Sequence, residues 1–428
     1  MITKDLNHRL GEVGAGTDMG DLLRRYWMPI AGASEFDTIS IKAIRLMGED
    51  LVLYRDLSGN YGLVDRHCPH RRADLSYGFV EECGVRCNYH GWLFDHNGRT
   101  LEQPFEDIAN PDARYRDKVQ ITAYPVEQKA GLLWAYLGPK PAPLVPNFEP
   151  FLWKNGFAQI VISEIPCNWF QCQENSIDPV HFEWMHRNWS IRLRGANGPY
   201  APRHLKVAFD TFEYGHVYRR ITEDGSDEEP LWTVGRVCLW PNALFTGSHF
   251  EWRVPIDDET TLSVTWQFSR VPIEREPYEQ ESIPTWHGPI KDAQTGKWIT
   301  SHVMNQDFVA WLGQGALADR TQEHLATSDR GIIMIRKRYL DDIAAVKRGE
   351  DPMGIVRDPT VNARIDLPIA NKHLFINGRS ARDYDNDVLR GTSRVSYMFQ
   401  AGQPDDVRHA WLEAMGFQHV ESQVETSQ

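Results

Sequence analysis

The sequence predicts an α+β protein in two parts, a small all-β domain followed by a larger α+β domain in which an antiparallel sheet carries helices. Three observations predict it. Leu137-Gly-Pro-Lys-Pro-Ala-Pro-Leu-Val-Pro146 sets four prolines close together, which removes backbone donors and enforces extended chain, so this is the joint. Before the joint, short β-like runs alternate with turn signals. After it, strict alternation in one stretch gives way to helical spacing in another.

The early runs are Ala43-Ile-Arg-Leu-Met47 and Leu51-Val-Leu-Tyr54, with Glu49-Asp50 and Ser58-Gly-Asn60 as turns. Asn97-Gly98 is a further hairpin signal, because these residue types tolerate positive φ. Beyond the joint, Leu262, Val264, Trp266 and Phe268 share one face of Thr261–Phe268, which reads as a half-buried antiparallel strand after an Asp257–Thr260 turn. Leu205, Val207 and Phe209 alternate in the same way. From Ser328 to Lys347 the period changes: Ile332, Ile335, Tyr339, Ile343 and Val346 lie at helical spacing. A last helix is expected from Asp405 to Met415, stopped by Gly416.

The chain of 428 residues can bury two or three sizeable cores. Its 46 basic against 59 acidic residues leave a net charge of −13, which argues against nucleic acid as a partner. The first residues lack the apolar run of a signal peptide, and no uninterrupted apolar stretch reaches membrane-spanning length, so no membrane is expected. Six cysteines in so long a chain do not read as a disulfide scaffold, and the cytoplasm is the expected compartment.

Two constellations carry chemistry. Cys68-Pro-His70 and Cys87-Asn-Tyr-His90 are separated by residues 71–86, and each presents two ligand atoms from one tight loop. Two thiolates and two imidazoles suit tetrahedral zinc or a [2Fe–2S] cluster with mixed ligands. Cys83 is spare, read as a small buried or neutral residue, and His67 as a loop residue. The second constellation is Asp178-Pro-Val-His181 followed by His186. Two histidines with a distant carboxylate form the facial triad of oxygen-activating ferrous enzymes. On a regular helix, however, residues five apart lie about 140° apart. Both rings can face one metal only across a widened, π-type turn, which we therefore predict between His181 and His186.

The flanks narrow the choice. Cys68-Pro-His-Arg71 and Cys87-Asn-Tyr-His-Gly-Trp92 resemble the cluster loops of Rieske non-haem iron oxygenases almost letter for letter. The resemblance extends over roughly residues 10 to 345. Asn175, three residues before Asp178, and Gly313-Gln-Gly315 to Asp329-Arg-Gly331 are similar to the single-subunit, phthalate-dioxygenase-like branch. That resemblance implies an N-terminal segment (1–25), a Rieske [2Fe–2S] domain (26–145) and a mononuclear iron domain (146–428).

It also implies that Cys68 and Cys87 hold one iron of the cluster and His70 and His90 the other. His181 and His186 would bind the mononuclear Fe(II). Asp178 would sit outside the ligand shell, hydrogen-bond the N–H of His181, and touch the neighbouring subunit's counterpart of His90 in a homotrimer. Asp307, in Asn305-Gln-Asp307, would be the carboxylate ligand, ahead of Asp319, Glu323 and Asp329.

Electrons from NAD(P)H would arrive through a separate reductase, with or without a ferredoxin, and be used with O₂ on an aromatic acid. Segments Pro166–Trp184 and Arg253–Asp257 look most similar to the biphenyl O-demethylase group, which implies demethylation with release of formaldehyde; phthalate-type dihydroxylation is the alternative. A pocket arginine should meet the substrate carboxylate, with Arg192, Arg194 and Arg253 as candidates. A simple Rieske electron carrier leaves the second domain and its own histidine pair unexplained.

Overall fold

The computed structural model describes residues 2–193, 195–198, 200–380 and 400–417. Two helices, Lys4–Gly11 and Asp18–Leu23, come first, each started by a threonine hydroxyl: Thr3 accepts the N–H of Leu6 and Thr17 that of Gly20. The strands β1 (Trp27–Gly32), β2 (Ile41–Leu46), β3 (Glu49–Arg55), β4 (Tyr61–Asp65), β5 (Phe79–Glu81) and β6 (Gly84–Arg86) follow. They continue with β7 (Leu93–Phe94), β8 (Thr100–Glu102), β9 (Ala123–Tyr124), β10 (Val126–Lys129) and β11 (Leu132–Tyr136). They pair antiparallel in small sheets ordered β1-β11-β10, β2-β3-β4-β9 and β5-β6-β7-β8.

The β2–β3 turn is not Glu49-Asp50 but Met47-Gly48, where φ is 47° and 81°. A two-residue turn of type I′ takes positive φ at both positions, which Gly48 meets without strain, whereas Asp50 stays in the ladder opposite Arg45 and pairs with it at 2.7 Å.

After the proline-rich joint the chain builds one large sheet from β12 (Gly156–Ile165), β13 (His204–Phe212), β14 (Gly215–Thr222), β15 (Arg236–Leu239), β16 (Ala243–Phe245), β17 (His249–Pro255), β18 (Thr261–Arg270) and β19 (Thr285–His287). Its order is β13-β14-β15-β16-β17-β18-β12-β19, antiparallel except for β12 with β19. Strand β13 is one edge of the sheet; Leu205 on it is exposed, while Val207 and Phe209 are half-buried.

Strand β18 is antiparallel as expected, but it is not half-buried: Ser263, Thr265 and Gln267 are as shielded as Val264 and Trp266. The sheet is covered on both sides. Its apolar face meets the N-terminal part, where Trp252 packs edge-on to Trp134 at 5.2 Å and Trp266 Nε1 donates to Ala130 O. Its polar face lies under the helices Trp169–Asn175 and Val303–Leu312: Arg253 Nε donates to Cys172 O, and the Arg253 guanidinium stands 5.3 Å from the Trp311 ring.

The expected long helix spans Arg330–Lys347 and buries Ile332, Ile335, Tyr339 and Ile343, with Tyr339 packed against Trp169 and Phe170. The last described helix, Asp405–Ala414, ends just before Gly416 at φ 77°. Among the described residues no helix is long and apolar enough to cross a membrane.

Glu35 ties the two parts together, accepting from Lys42 at 2.7 Å on β2 and facing His287 at 3.3 Å on β19. Burial works against its charge, but His287, Lys42 and the Gly32 N–H together hold the carboxyl at about 2. Since the folded value lies below the ordinary 4.5, this stabilisation is complete above that value and is lost as pH falls toward 2. The gap in melting temperature between the native protein and Glu35→Gln is therefore expected to be widest at neutral pH and to close on acidification through this interval, as followed by circular dichroism.

Candidate metal centres

The two cysteine–histidine loops bring four side chains together as two pairs with opposite exposure. Cys68 and Cys87 are buried, 1% and 2% exposed, while His70 and His90 are exposed. Each loop closes on its own backbone: Arg72 N–H donates to Cys68 O and Gly91 N–H to Cys87 O, with Gly91 at φ 79°. The two imidazoles stand 4.5 Å apart, and His70 stacks on Trp92 at 4.5 Å and 4°.

Burial pushes the Cys68 thiol up to about 12, and the adjoining Cys87 adds to this against the N–H groups of His70 and Arg71. Two buried thiols side by side resist ionisation unless cations draw off the protons, so this donor set fits an iron–sulfur cluster with its sulfur ligands inside and its imidazoles at the surface. His67 lies in the same loop, where its N–H donates to Asp65, and is half-buried. Cys83 is exposed in the β5–β6 turn, so of the two positions expected, buried or neutral, it is not the buried one.

The second constellation converges on one point. His181 Nε2 lies 3.7 Å from Asp307 Oδ1, and His186 Nε2 lies 3.4 Å from Asp307 Oδ2. Donor atoms of these three residues all lie within 4.8 Å of one another. The backbone between the histidines is a π-helix, Phe182–Arg187, whose wider turn brings residues five apart to one face. Glu183 inside that turn accepts from Arg220 at 2.6 Å on β14 and meets His204 Nε2 at 2.8 Å on β13. Burial opposes its charge, yet His204 and Arg220 hold Glu183 at about 2.

Asp307 is supplied by the helix Val303–Leu312, which buries Met304 to Phe308 and Trp311. Burial raises its carboxyl, but the two histidines outweigh this and keep it below the ordinary value, so it is anionic at neutral pH. Asn175 Nδ2 donates to Asp307 Oδ1 at 3.2 Å. Gln306 Oε1 lies 2.9 Å from His186 Nδ1, a contact not legible in the sequence beyond its place beside Asp307; it leaves Nε2 buried, without a hydrogen-bond partner and facing the carboxylate. Two imidazoles and one carboxylate gathered on one side of a point fit a ferrous ion with open positions.

Asp178 stands 3.5 Å from His181 Nδ1 and remains one-third exposed. The other acids do local work: Asp319 turns back to Thr321, Glu323 pairs with Arg336, and Asp329 accepts from Ala326 N–H. Of the arginines, Arg253 is neutralised by Glu251 at 2.9 Å, and Arg192 is exposed over Tyr200. Arg194 lies outside the described residues.

The Rieske [2Fe–2S] domain family matches residues 26–112, and the family described as LigXa C-terminal domain like matches residues 290–368. The chain is 61% identical to the 5,5'-dehydrodivanillate O-demethylase oxygenase subunit of a Sphingobium species (strain SYK-6), over 97% of each chain. It belongs to the Rieske non-haem iron oxygenases. Within them it is similar to the phthalate 4,5-dioxygenase oxygenase subunit of Pseudomonas putida, at 30% identity over 83% of this chain and 89% of that one. The terminal oxygenase of carbazole 1,9a-dioxygenase from Novosphingobium sp. KA1 shares the Rieske oxygenase fold with a TM-score of 0.52 at 19% identity, covering 78% of this chain and 93% of its own. As a Rieske oxygenase subunit, the chain carries a [2Fe–2S] cluster and a mononuclear iron.

The oxygenase anchors the helix bearing Asn175 through Glu174, which accepts from Arg320 at 2.7 Å and from Arg336. Glu174→Gln leaves the buried Arg320 without a carboxylate, and is expected to cost about 3 kcal/mol, read as a lower urea midpoint. The variant should also bind mononuclear iron more weakly when titrated.

Proposed function

We propose that this chain is the terminal oxygenase of a multicomponent O-demethylase acting on methoxylated aromatic acids of the biphenyl type. The observation that carries the proposal is the 61% identity along 97% of the chain to an oxygenase subunit with that activity, joined to the convergent His181, His186 and Asp307. The balanced reaction converts a methoxy-arene, O₂, NAD(P)H and a proton into a phenol, formaldehyde, water and NAD(P)⁺. A separate reductase, directly or through a ferredoxin, delivers the electrons, and the cytoplasm supplies both nicotinamide and reduced thiols.

In this reading Cys68 and Cys87 hold the inner iron of the cluster, and His70 and His90 the outer one at the surface where electrons enter and leave. His181, His186 and Asp307 hold the mononuclear iron, which when bound supplies the oxygen activation. Asn175 fixes one oxygen of Asp307, and Gln306 fixes the tautomer of His186. Asp178, next to His181 and partly exposed, is suited to bridge to the neighbouring subunit's cluster loop, so the working assembly is a homotrimer. Insertion of one oxygen into a methyl C–H bond gives a hemiacetal, whose collapse releases formaldehyde and the phenol.

The deciding experiment supplies purified reductase and scores products from a methoxylated biphenyl dicarboxylate and from phthalate. Formaldehyde with one equivalent of phenol is expected; a cis-dihydrodiol without formaldehyde would replace demethylation by dihydroxylation. His181→Ala should keep the visible and EPR signature of the cluster while product falls by at least about a thousandfold, as loss of a metal ligand implies. Retained turnover would remove His181 from the iron. Asp178→Asn should keep both metals at full occupancy, and slow reoxidation of the reduced cluster by substrate and O₂ in single-turnover stopped flow.

A further inference from the structure

Between the two histidines, within the π-turn itself, Glu183 carries a carboxylate committed wholly to the sheet. Arg220 on β14 donates Nη2 to Oε1 at 2.6 Å, and His204 on β13 brings Nε2 to 2.8 Å from Oε2. The two strands are paired from His204–Thr222 to Phe212–Gly215, so both partners stand on one ladder. All three side chains are largely buried, Glu183 at 14% exposure. Hydrogen bonds to a charged group in such surroundings belong to the strong class.

A second path runs through Phe182. The Arg220 guanidinium lies 4.9 Å from the Phe182 ring, and that ring packs edge-on against His186 at 5.1 Å. Glu183 therefore acts on His186 twice, through the backbone three residues on and through the arginine it orients. His181, two residues before it, is reached through the backbone. A π-type turn is rare because α-helical winding competes with it, and a return to that winding would swing the two rings about 140° apart.

We propose that Glu183 is a positioning residue for the mononuclear iron. By anchoring the π-turn to β13 and β14 it sets the directions of His181 and His186 toward Asp307, and with them the affinity and symmetry of the ferrous site. Both of its oxygens are held by the sheet, so it acts without being a ligand. The inference rests on the assignment of His181, His186 and Asp307 to the iron.

The test compares the native, cluster-loaded protein with Glu183→Ala, Glu183→Gln and Glu35→Gln. Ferrous affinity is read by anaerobic competition with a chelator, site symmetry by EPR of the nitric oxide adduct, and melting temperature by circular dichroism. Glu183→Ala is expected to weaken iron at least about tenfold, the scale of losing a group that orients a metal ligand, and to change the EPR line shape. Glu183→Gln, which still accepts from Arg220, should recover part of the affinity. Glu35→Gln should lower the melting temperature and leave iron affinity unchanged.

Native affinity and line shape in Glu183→Ala would overturn the proposal. So would a Glu35→Gln protein that loses iron in step with its melting temperature, since affinity would then follow stability alone. Should Glu183→Ala fail to fold, His204→Phe decides, because it removes one anchor and leaves the turn's own sequence intact. Weaker iron with an altered line shape supports the inference there, and native values for both defeat it. A His181→Ala protein that keeps full iron affinity would defeat the ligand assignment, and this inference with it.

Discussion

The geometry of the second centre depends on one local departure from the α-helix, the π-turn Phe182–Arg187. Without it the rings of His181 and His186 would diverge by about 140°, and a carboxylate brought between them could meet only one. Such a turn is not favoured by its own hydrogen bonds and needs outside support. Glu183 supplies it from within the turn, through Arg220 and His204 on two adjacent strands. The sheet therefore does more than bury the site; its strands β13 and β14 hold the backbone in the conformation that turns two imidazoles to one point.

Opposite rules of burial govern the two centres. The thiols of the first are inside and its imidazoles outside, so in the proposed reading the reducible end of the cluster meets solvent or another protein. In the second, His186 and Asp307 are nearly inaccessible while Asp178 reaches the surface beside His181. In the proposed reading each chain presents an electron-donating surface and an electron-accepting one, which suits passage of electrons between subunits of a closed ring.

Charge compensation organises the rest of the polar face. Arg253 and Glu251 are both fully buried and answer each other, and burial still pushes the Glu251 carboxyl up to about 7 against the pull of Arg253. Arg320 and Arg336 share Glu174, and Arg336 also holds Glu323.

What the sequence determined by itself was everything whose partners are near in the chain. The cluster loops are legible because both ligands of each pair lie within four residues, and the need for a widened turn follows from the spacing of His181 and His186. The helix Arg330–Lys347 and strand β18 follow from their periods. Tertiary structure decided what spans the chain. Asp307 joins histidines more than a hundred residues earlier only because a separate helix crosses above the sheet. Gln306 and Glu183 find His186, Arg220 and His204 in the same way, and the hydrogen-bonding side of β18 is buried because helices cover what its alternation alone marks as a solvent face.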